Sequence, residues 1–97
     1  MFSIAVVYNC FEGKREEYIK LLEKEGIISD IRNEEGCIMY EYYFSQSNKN
    51  EILLIEKWVD KECQKKHVTL PHTQKMLSFK NDYVKSTELK EFTLSDI

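Results

Sequence analysis

Two stretches, CIMYEYYF at residues 37–44 and EILLIEKWV at residues 51–59, indicate the fold class of this chain. Both stretches are rich in the β-branched and aromatic residues that favour strands, and the polar segment 45–50 between them is typical of a turn. The pattern therefore predicts a β-hairpin. A sheet with one face in water alternates apolar and polar residues, and these stretches hardly alternate. Both faces of the hairpin therefore need cover.

Before the hairpin, the chain predicts a strand and a helical connection. Residues 2–10 form a β-branched and aromatic run, which is typical of a first strand. Residues 14–25 carry apolar side chains at helical spacing, with Lys and Glu on the other face. Gly26 interrupts this helix, and a further helical stretch is expected toward Asn33.

After the hairpin, Asp60 is placed to cap a helix that runs through His67. Pro71 is expected to start a fresh helical segment that extends to about Tyr83. Residues 88–94 predict a last, short strand. The order β-α-β-β-α-β indicates an α+β, ferredoxin-like fold, an antiparallel sheet with helices on one face.

These helices can cover only one face of the sheet, and the tail after Phe92 is too short to form a third layer. An identical sheet from a second copy of the chain is the economical cover for the other face. We therefore expect a homodimer that packs sheet against sheet.

Composition excludes several classes of protein. The 97 residues, taken as a single domain over 1–97, are 42% hydrophobic and carry 14 basic and 17 acidic side chains. This mildly acidic balance disfavours nucleic-acid binding, which needs a basic face. No apolar run approaches the roughly 18 residues of a membrane span, and residues 1–7 resemble a strand more than a signal peptide. The three cysteines, in no close pair, suggest free thiols and a cytoplasmic location.

Cys63, His67 and His72 raise the question of a metal or a nucleophile. A zinc site needs three or four ligands at defined spacing, no further candidate is nearby, and Pro71 breaks the register before His72. Cys63 and His67, four residues apart, could form a nucleophilic pair, but simple packing on one helix face is the commoner reason for such spacing. We expect no bound metal, flavin or haem.

Glu56 shares a strand face with Leu54 and Trp58. If that face is covered, its carboxylate needs a partner, and His67 on the following helix is a candidate. Such a carboxylate would fix the imidazole tautomer and leave the other ring nitrogen for a substrate. The alternative, an exposed Glu56 that pairs with a lysine, is equally open at this point.

Aromatic side chains concentrate around the hairpin at Tyr40, Tyr42, Tyr43, Phe44 and Trp58. Most of them must belong to the core or to an interface. A subset could line a pocket for a flat ligand.

Three motifs in succession make a family recognisable: EEGCxxY at residues 34–40, IEKW at residues 55–58 and HxxxPH at residues 67–72. Their order and spacing resemble the antibiotic biosynthesis monooxygenase domain, and within it the small bacterial quinol monooxygenases. The resemblance spans residues 2 to about 94. It implies a dimeric α+β barrel that inserts oxygen from dioxygen into a small quinol or aromatic substrate without any cofactor.

The same resemblance implies roles for individual residues. His67 would be the catalytic base or the partner of the substrate anion, and Glu56 would orient it. Tyr40, Trp58 and His72 would be pocket walls or hydrogen-bond donors.

Relatives on this fold offer alternatives. The haem-degrading branch uses a first-strand Asn and a second-helix Trp, and those places hold Val7 and His67 here. Asn9, two residues on, is a candidate for the same side and for substrate binding. Another branch isomerises a phosphorylated signalling sugar and would need convergent basic groups. A third alternative is a non-enzymatic dimeric module that binds a small ligand.

Overall fold

The computed structural model describes the backbone of residues 1–92 and the side chains of residues 1–89. Its elements, in chain order, are β1 (Phe2–Cys10), α1 (Arg15–Lys24), α2 (Ile27–Arg32), β2 (Cys37–Phe44), β3 (Glu51–Trp58), α3 (Lys61–Thr69), α4 (Pro71–Lys80) and β4 (Val84–Phe92). The strands form one antiparallel sheet in the order β2-β3-β1-β4. The helices lie on one face of that sheet, which confirms the ferredoxin-like fold.

Both helical connections are broken where the sequence predicts. Gly26 separates α1 from α2 with a backbone φ of +70°, a left-handed conformation that glycine adopts without steric cost. Pro71 occupies the first turn of α4, where its missing N–H needs no partner. Asp60 caps α3, since its side chain accepts a hydrogen bond of 2.9 Å from the Cys63 amide.

The last strand differs from its prediction. It begins at Val84, four residues earlier than expected, because β1 pairs with it from Ser3 to Cys10, with a shift of register between Asn9 and Cys10. The polar residues of β4 give no clear strand pattern in the sequence. They are typical of an edge strand, which is the position of β4 in the sheet. The expected end at Leu94 lies outside the described residues. Helix α4 also ends at Lys80, before the expected Tyr83.

Burial alternates along the central strands. In β3, the side chains of Ile52, Leu54, Glu56 and Trp58 are buried under the helices, whereas the odd-numbered residues on the open face are only half-buried. The open face nevertheless carries apolar residues from both central strands. These are Ala5, Val7, Leu53 and Ile55. No helix within the described part of the chain is long and apolar enough to cross a bilayer.

Candidate active site

A cavity of about 160 Å³ lies between the helix-covered face of the sheet and the second helical connection, α3 and α4. Of the predicted site residues, Tyr40, Glu56 and His67 line it. Trp58 is fully buried beside them. Asn9 lies elsewhere: the strand alternates, so Tyr8 faces the cavity while Asn9 donates a hydrogen bond to Ser86 on the opposite face.

The His67 side chain is held in place by two aromatic rings and by hydrogen bonds to Nδ1. Its ring packs on Trp58 and Tyr40, with centroids 5.0 Å and 5.8 Å away. Its Nδ1 lies 2.8 Å from Oε2 of Glu34 and 3.3 Å from Oγ1 of Thr73. The imidazole is therefore fixed by both ring packing and hydrogen bonding, and His67 lines the cavity with its Nδ1 already engaged.

Glu34 is the residue that sequence reasoning missed. It follows α2 in the loop that leads into β2, and a single oxygen, Oε2, contacts both His67 Nδ1 and His72 Nε2, the latter at 2.6 Å. A carboxylate accepts hydrogen bonds, so both imidazole nitrogens donate to it. In a neutral His67 the proton therefore sits on Nδ1, and Nε2 keeps its lone pair. The one sequence signal for Glu34 is its position as the first residue of the EEGCxxY motif.

The pairing of Glu56 with His67 is corrected by this geometry. Oε1 of Glu56 accepts a hydrogen bond of 3.0 Å from the indole N–H of Trp58. Because Glu56 and Trp58 are two residues apart on β3, they lie on the same face of the strand, and the indole N–H is within hydrogen-bond distance of the carboxylate. Burial raises the pKa of Glu56, and the hydrogen bond from Trp58 opposes this rise. The exposed alternative for Glu56 is wrong as well, since its exposed fraction is 6%.

Two tyrosines and a lysine also belong to the polar lining of the cavity. Tyr8 and Tyr40 line it, and burial raises the pKa of both phenols, which keeps them neutral. The Tyr40 hydroxyl lies 3.3 Å from that of Tyr42. Lys80 at the end of α4 also lines the cavity, with its Nζ 4.8 Å from the centroid of the Tyr8 ring. Partial burial lowers the pKa of Lys80.

Cys63 takes no part in this arrangement. It lines a separate cleft of about 160 Å³ together with Glu34 and Lys66. The Asp60 carboxylate raises the pKa of the Cys63 thiol, and a thiol that stays protonated is a poor nucleophile.

The sequence argument against a set of metal ligands is corrected in one respect. Pro71 does break the helical register before His72, but the expectation that no further ligand is nearby is wrong. Instead, the break returns His72 toward His67, and Glu34 joins them. Ligand atoms of these three side chains lie within 4.8 Å of one another.

Several known proteins resemble this chain. Uncharacterized protein sll1783 of Synechocystis is 27% identical over 84 residues, which cover 86% of this chain and 56% of that protein. The chain thus spans little more than half the length of this relative. Protein SO0527 of Shewanella oneidensis is 26% identical in sequence, with a TM-score of 0.83 over 94% of this chain and 87% of that one.

A solved antibiotic biosynthesis monooxygenase has the same fold, with a TM-score of 0.84, 14% identity, and coverage of 98% of this chain and 99% of its own. The family model described as "Antibiotic biosynthesis monooxygenase" matches residues 1–78, which include β1 to α3, most of α4 and all three motifs. The cavity, the held imidazole and the fold lie within this match apart from β4 and the end of α4. The chain belongs to the antibiotic biosynthesis monooxygenase family.

Proposed function

We propose that this protein is a cofactor-independent monooxygenase that oxidises a small quinol or aromatic substrate with dioxygen. The observation that carries the proposal is the cavity wall formed by His67, whose Nδ1 is engaged by Glu34 and whose Nε2 remains to meet a substrate. A cavity of about 150 Å³ is enough for a benzene ring. The 160 Å³ here therefore favours a single-ring substrate.

The first chemical step would be proton transfer from the substrate hydroxyl to Nε2 of His67. A quinol hydroxyl titrates near pH ~10, like that of tyrosine, and so is rarely ionised at neutral pH without a positioned base. The resulting anion is electron-rich and would reduce dioxygen directly. Lys80 supplies a positive charge and Tyr40 a neutral phenol toward that anion.

The proposal includes a homodimer. The open face of the sheet presents Ala5, Val7, Leu53 and Ile55, all half-buried within the single chain. A second copy packed against this face would bury them, and an interface of that kind is expected to be large and apolar. Sedimentation at micromolar concentration should give the mass of a dimer, and a stable monomer would contradict this part of the proposal. The three free cysteines support a cytoplasmic location.

The isomerase alternative finds little support in the geometry. Three basic residues on or near the hairpin and helix α3 do not converge on the cavity. Arg32 donates to the Tyr40 carbonyl and to Glu41, Lys66 lies beside Glu35, and Lys57 faces the open side of the sheet. Lys80 is the single lysine or arginine among the described residues that line the cavity. Arginine is the residue typical of bidentate phosphate recognition, and none of the described lining residues is an arginine.

Oxygen uptake with a panel of single-ring hydroquinones tests the proposal. We expect turnover that is strictly dependent on dioxygen and strongly reduced in the His67→Ala variant. Conversion of a sugar phosphate without oxygen would favour the isomerase instead. Binding of the ring compounds without any oxygen uptake would favour the non-enzymatic module.

A further inference from the structure

We propose that Glu34, His67 and His72 form a binding site for a divalent transition-metal ion of the Zn²⁺ type. The ligand atoms are Oε2 of Glu34, Nδ1 of His67 and Nε2 of His72, which lie within 4.8 Å of one another. Each comes from a different element: the loop before β2, helix α3 and helix α4. The fold therefore assembles the set from residues that are distant in sequence.

The chemistry of the donors selects the ion. Two imidazole nitrogens and one carboxylate oxygen are the ligands of many open zinc sites, which leave a fourth position for water or another molecule. Imidazole favours zinc, cobalt, nickel and copper, whereas magnesium and calcium prefer oxygen. We therefore expect Zn²⁺ and Co²⁺ to bind and Mg²⁺ to be rejected.

The geometry requires side-chain adjustments at Glu34 and at His72. Metal bonds of about 2.0–2.1 Å in a tetrahedron place the ligand atoms about 3.3 Å apart. The Glu34 oxygen is now 2.8 Å from His67 Nδ1 and 2.6 Å from His72 Nε2, so it must retreat by about 0.5 Å from the first and about 0.7 Å from the second. The two imidazole nitrogens, which lie within 4.8 Å of each other, must close toward the same distance of about 3.3 Å. Rotation of the Glu34 side chain and of the partly exposed His72 side chain can provide these changes.

An ion can reach the site from the His72 side. The side chains of Glu34 and His67 are 6% and 5% exposed, whereas that of His72 is 21% exposed. The cleft that Glu34 shares with Lys66 opens beside it. The site is thus reached from the His72 side, and neither Glu34 nor His72 lines the cavity.

Metal binding would change what His67 presents to the cavity. Nδ1 cannot hold both a metal and its proton, so the proton of a neutral imidazole must move to Nε2. Nε2 then donates a hydrogen bond and can no longer accept a proton. This consequence rests on the proposed function: an ion at the site is expected to inhibit the reaction, although it lies outside the cavity.

Titration of the chelator-treated full chain tests the site. Calorimetry should show one equivalent of Zn²⁺, and Co²⁺ should produce the visible absorption of a tetrahedral complex, with no response to Mg²⁺. Glu34→Gln and His72→Ala should each weaken Zn²⁺ binding by at least about 100-fold. Loss of a residue that hydrogen-bonds to a metal ligand costs up to about 100-fold in affinity, and loss of a ligand itself should cost no less. Circular dichroism checks that each variant is folded.

Cys63→Ser is the matched control, because Cys63 borders the same cleft and is also a potential zinc ligand. It should bind Zn²⁺ like the parent. The proposal is overturned if the parent binds no Zn²⁺, if both ligand variants keep parental affinity, or if Cys63→Ser loses binding.

Turnover measured with and without saturating Zn²⁺ separates this proposal from the proposed function. Stoichiometric binding that leaves turnover unchanged would support the metal site and contradict the role of Nε2 as base. Absence of binding, with turnover that still requires His67, would overturn the metal site alone.

Discussion

The two helical connections each consist of two helices separated by a break, but they bury different kinds of side chain. The first, α1 and α2, is broken at Gly26, and the second, α3 and α4, is broken at Pro71. The first buries five apolar side chains against the sheet, which are Tyr18, Leu22, Ile27, Ile28 and Ile31. The second buries only His67, Thr73 and Met76.

The first connection therefore contributes more of the apolar core, whereas the second borders the candidate active site. Under the first connection the buried side chains are apolar apart from the hydroxyl of Tyr18. Under the second lies a cavity whose wall includes an imidazole, a carboxyl group and neutral phenols. Polar groups in such a place lower the stability of the fold unless they are hydrogen-bonded, and here they are paired: His67 with Glu34, and Glu56 with Trp58.

The largest effect is expected on catalysis, at the second connection. His67→Ala should reduce turnover on a verified substrate by about 10²–10⁴-fold, the usual contribution of a positioned base. His72→Ala should reduce it less, because His72 contacts Glu34 and does not line the cavity. Steady-state oxygen uptake measures both.

Lys65→Ala is the control for these variants, since Lys65 is exposed on the same helix. Full turnover in His67→Ala would contradict the assignment of the base. Loss of activity in His72→Ala alone would reverse the two roles.

The largest effect on stability is expected at the first connection. Ile31 is fully buried, and Ile31→Ala should lower the free energy of unfolding by about 2–5 kcal/mol. Leu77 on α4 is 42% exposed, and Leu77→Ala should cost less than about 1 kcal/mol. Urea titrations compare the two. Equal losses would show that the connections contribute equally to the core.

Two glycines allow a comparison of the break in the first connection with the loop that follows it. At Gly26, no atom of the described residues comes within 4 Å of the position that a Cβ would take, so Gly26→Ala should cost only the left-handed conformation, about 1–2 kcal/mol. Gly36, with φ of +82°, lies against Cys63, so Gly36→Ala adds overpacking of about 1–3 kcal/mol. Thermal unfolding should rank Gly36→Ala as the less stable variant, and the reverse order would contradict close packing of this loop on α3.

The smallest effect concerns the buried carboxyl group of Glu56. Burial raises its pKa above that of the unfolded chain, so the native state holds the proton more tightly. Stability is therefore lost as the pH rises from the unfolded pKa, about 4.3, through the folded pKa. Glu56→Gln keeps an oxygen for the Trp58 N–H and carries no charge. Its stability relative to the parent should increase over that pH range.

Urea midpoints between pH 4 and pH 8 measure this difference. Glu23→Gln, a change at an exposed glutamate of α1, is the control and should give a curve parallel to that of the parent. A parallel curve for Glu56→Gln would show that its carboxyl group is not destabilised by burial.

The local elements could be predicted from the sequence, because local physical chemistry determines them. The bounds of β1 and β2, the Asp60 cap and the break at Pro71 all follow from propensity, capping and the missing proline N–H. The start of β4 could not be predicted, since its polar residues become a strand only through pairing with β1.

Within the candidate site, the motifs shared with the family implied one pocket for His67, Tyr40 and Trp58, and in the structure the rings of Tyr40 and Trp58 pack on that of His67. The hydrogen-bond partner of His67, in contrast, follows from the tertiary structure. Glu34 lies 33 residues from His67 and 38 from His72, so no local pattern could bring its carboxylate between their rings. Hydrogen-bond partners depend on ångström-scale positions that are set when the loop before β2, α3 and α4 pack together, and residue spacing along the chain does not encode those positions.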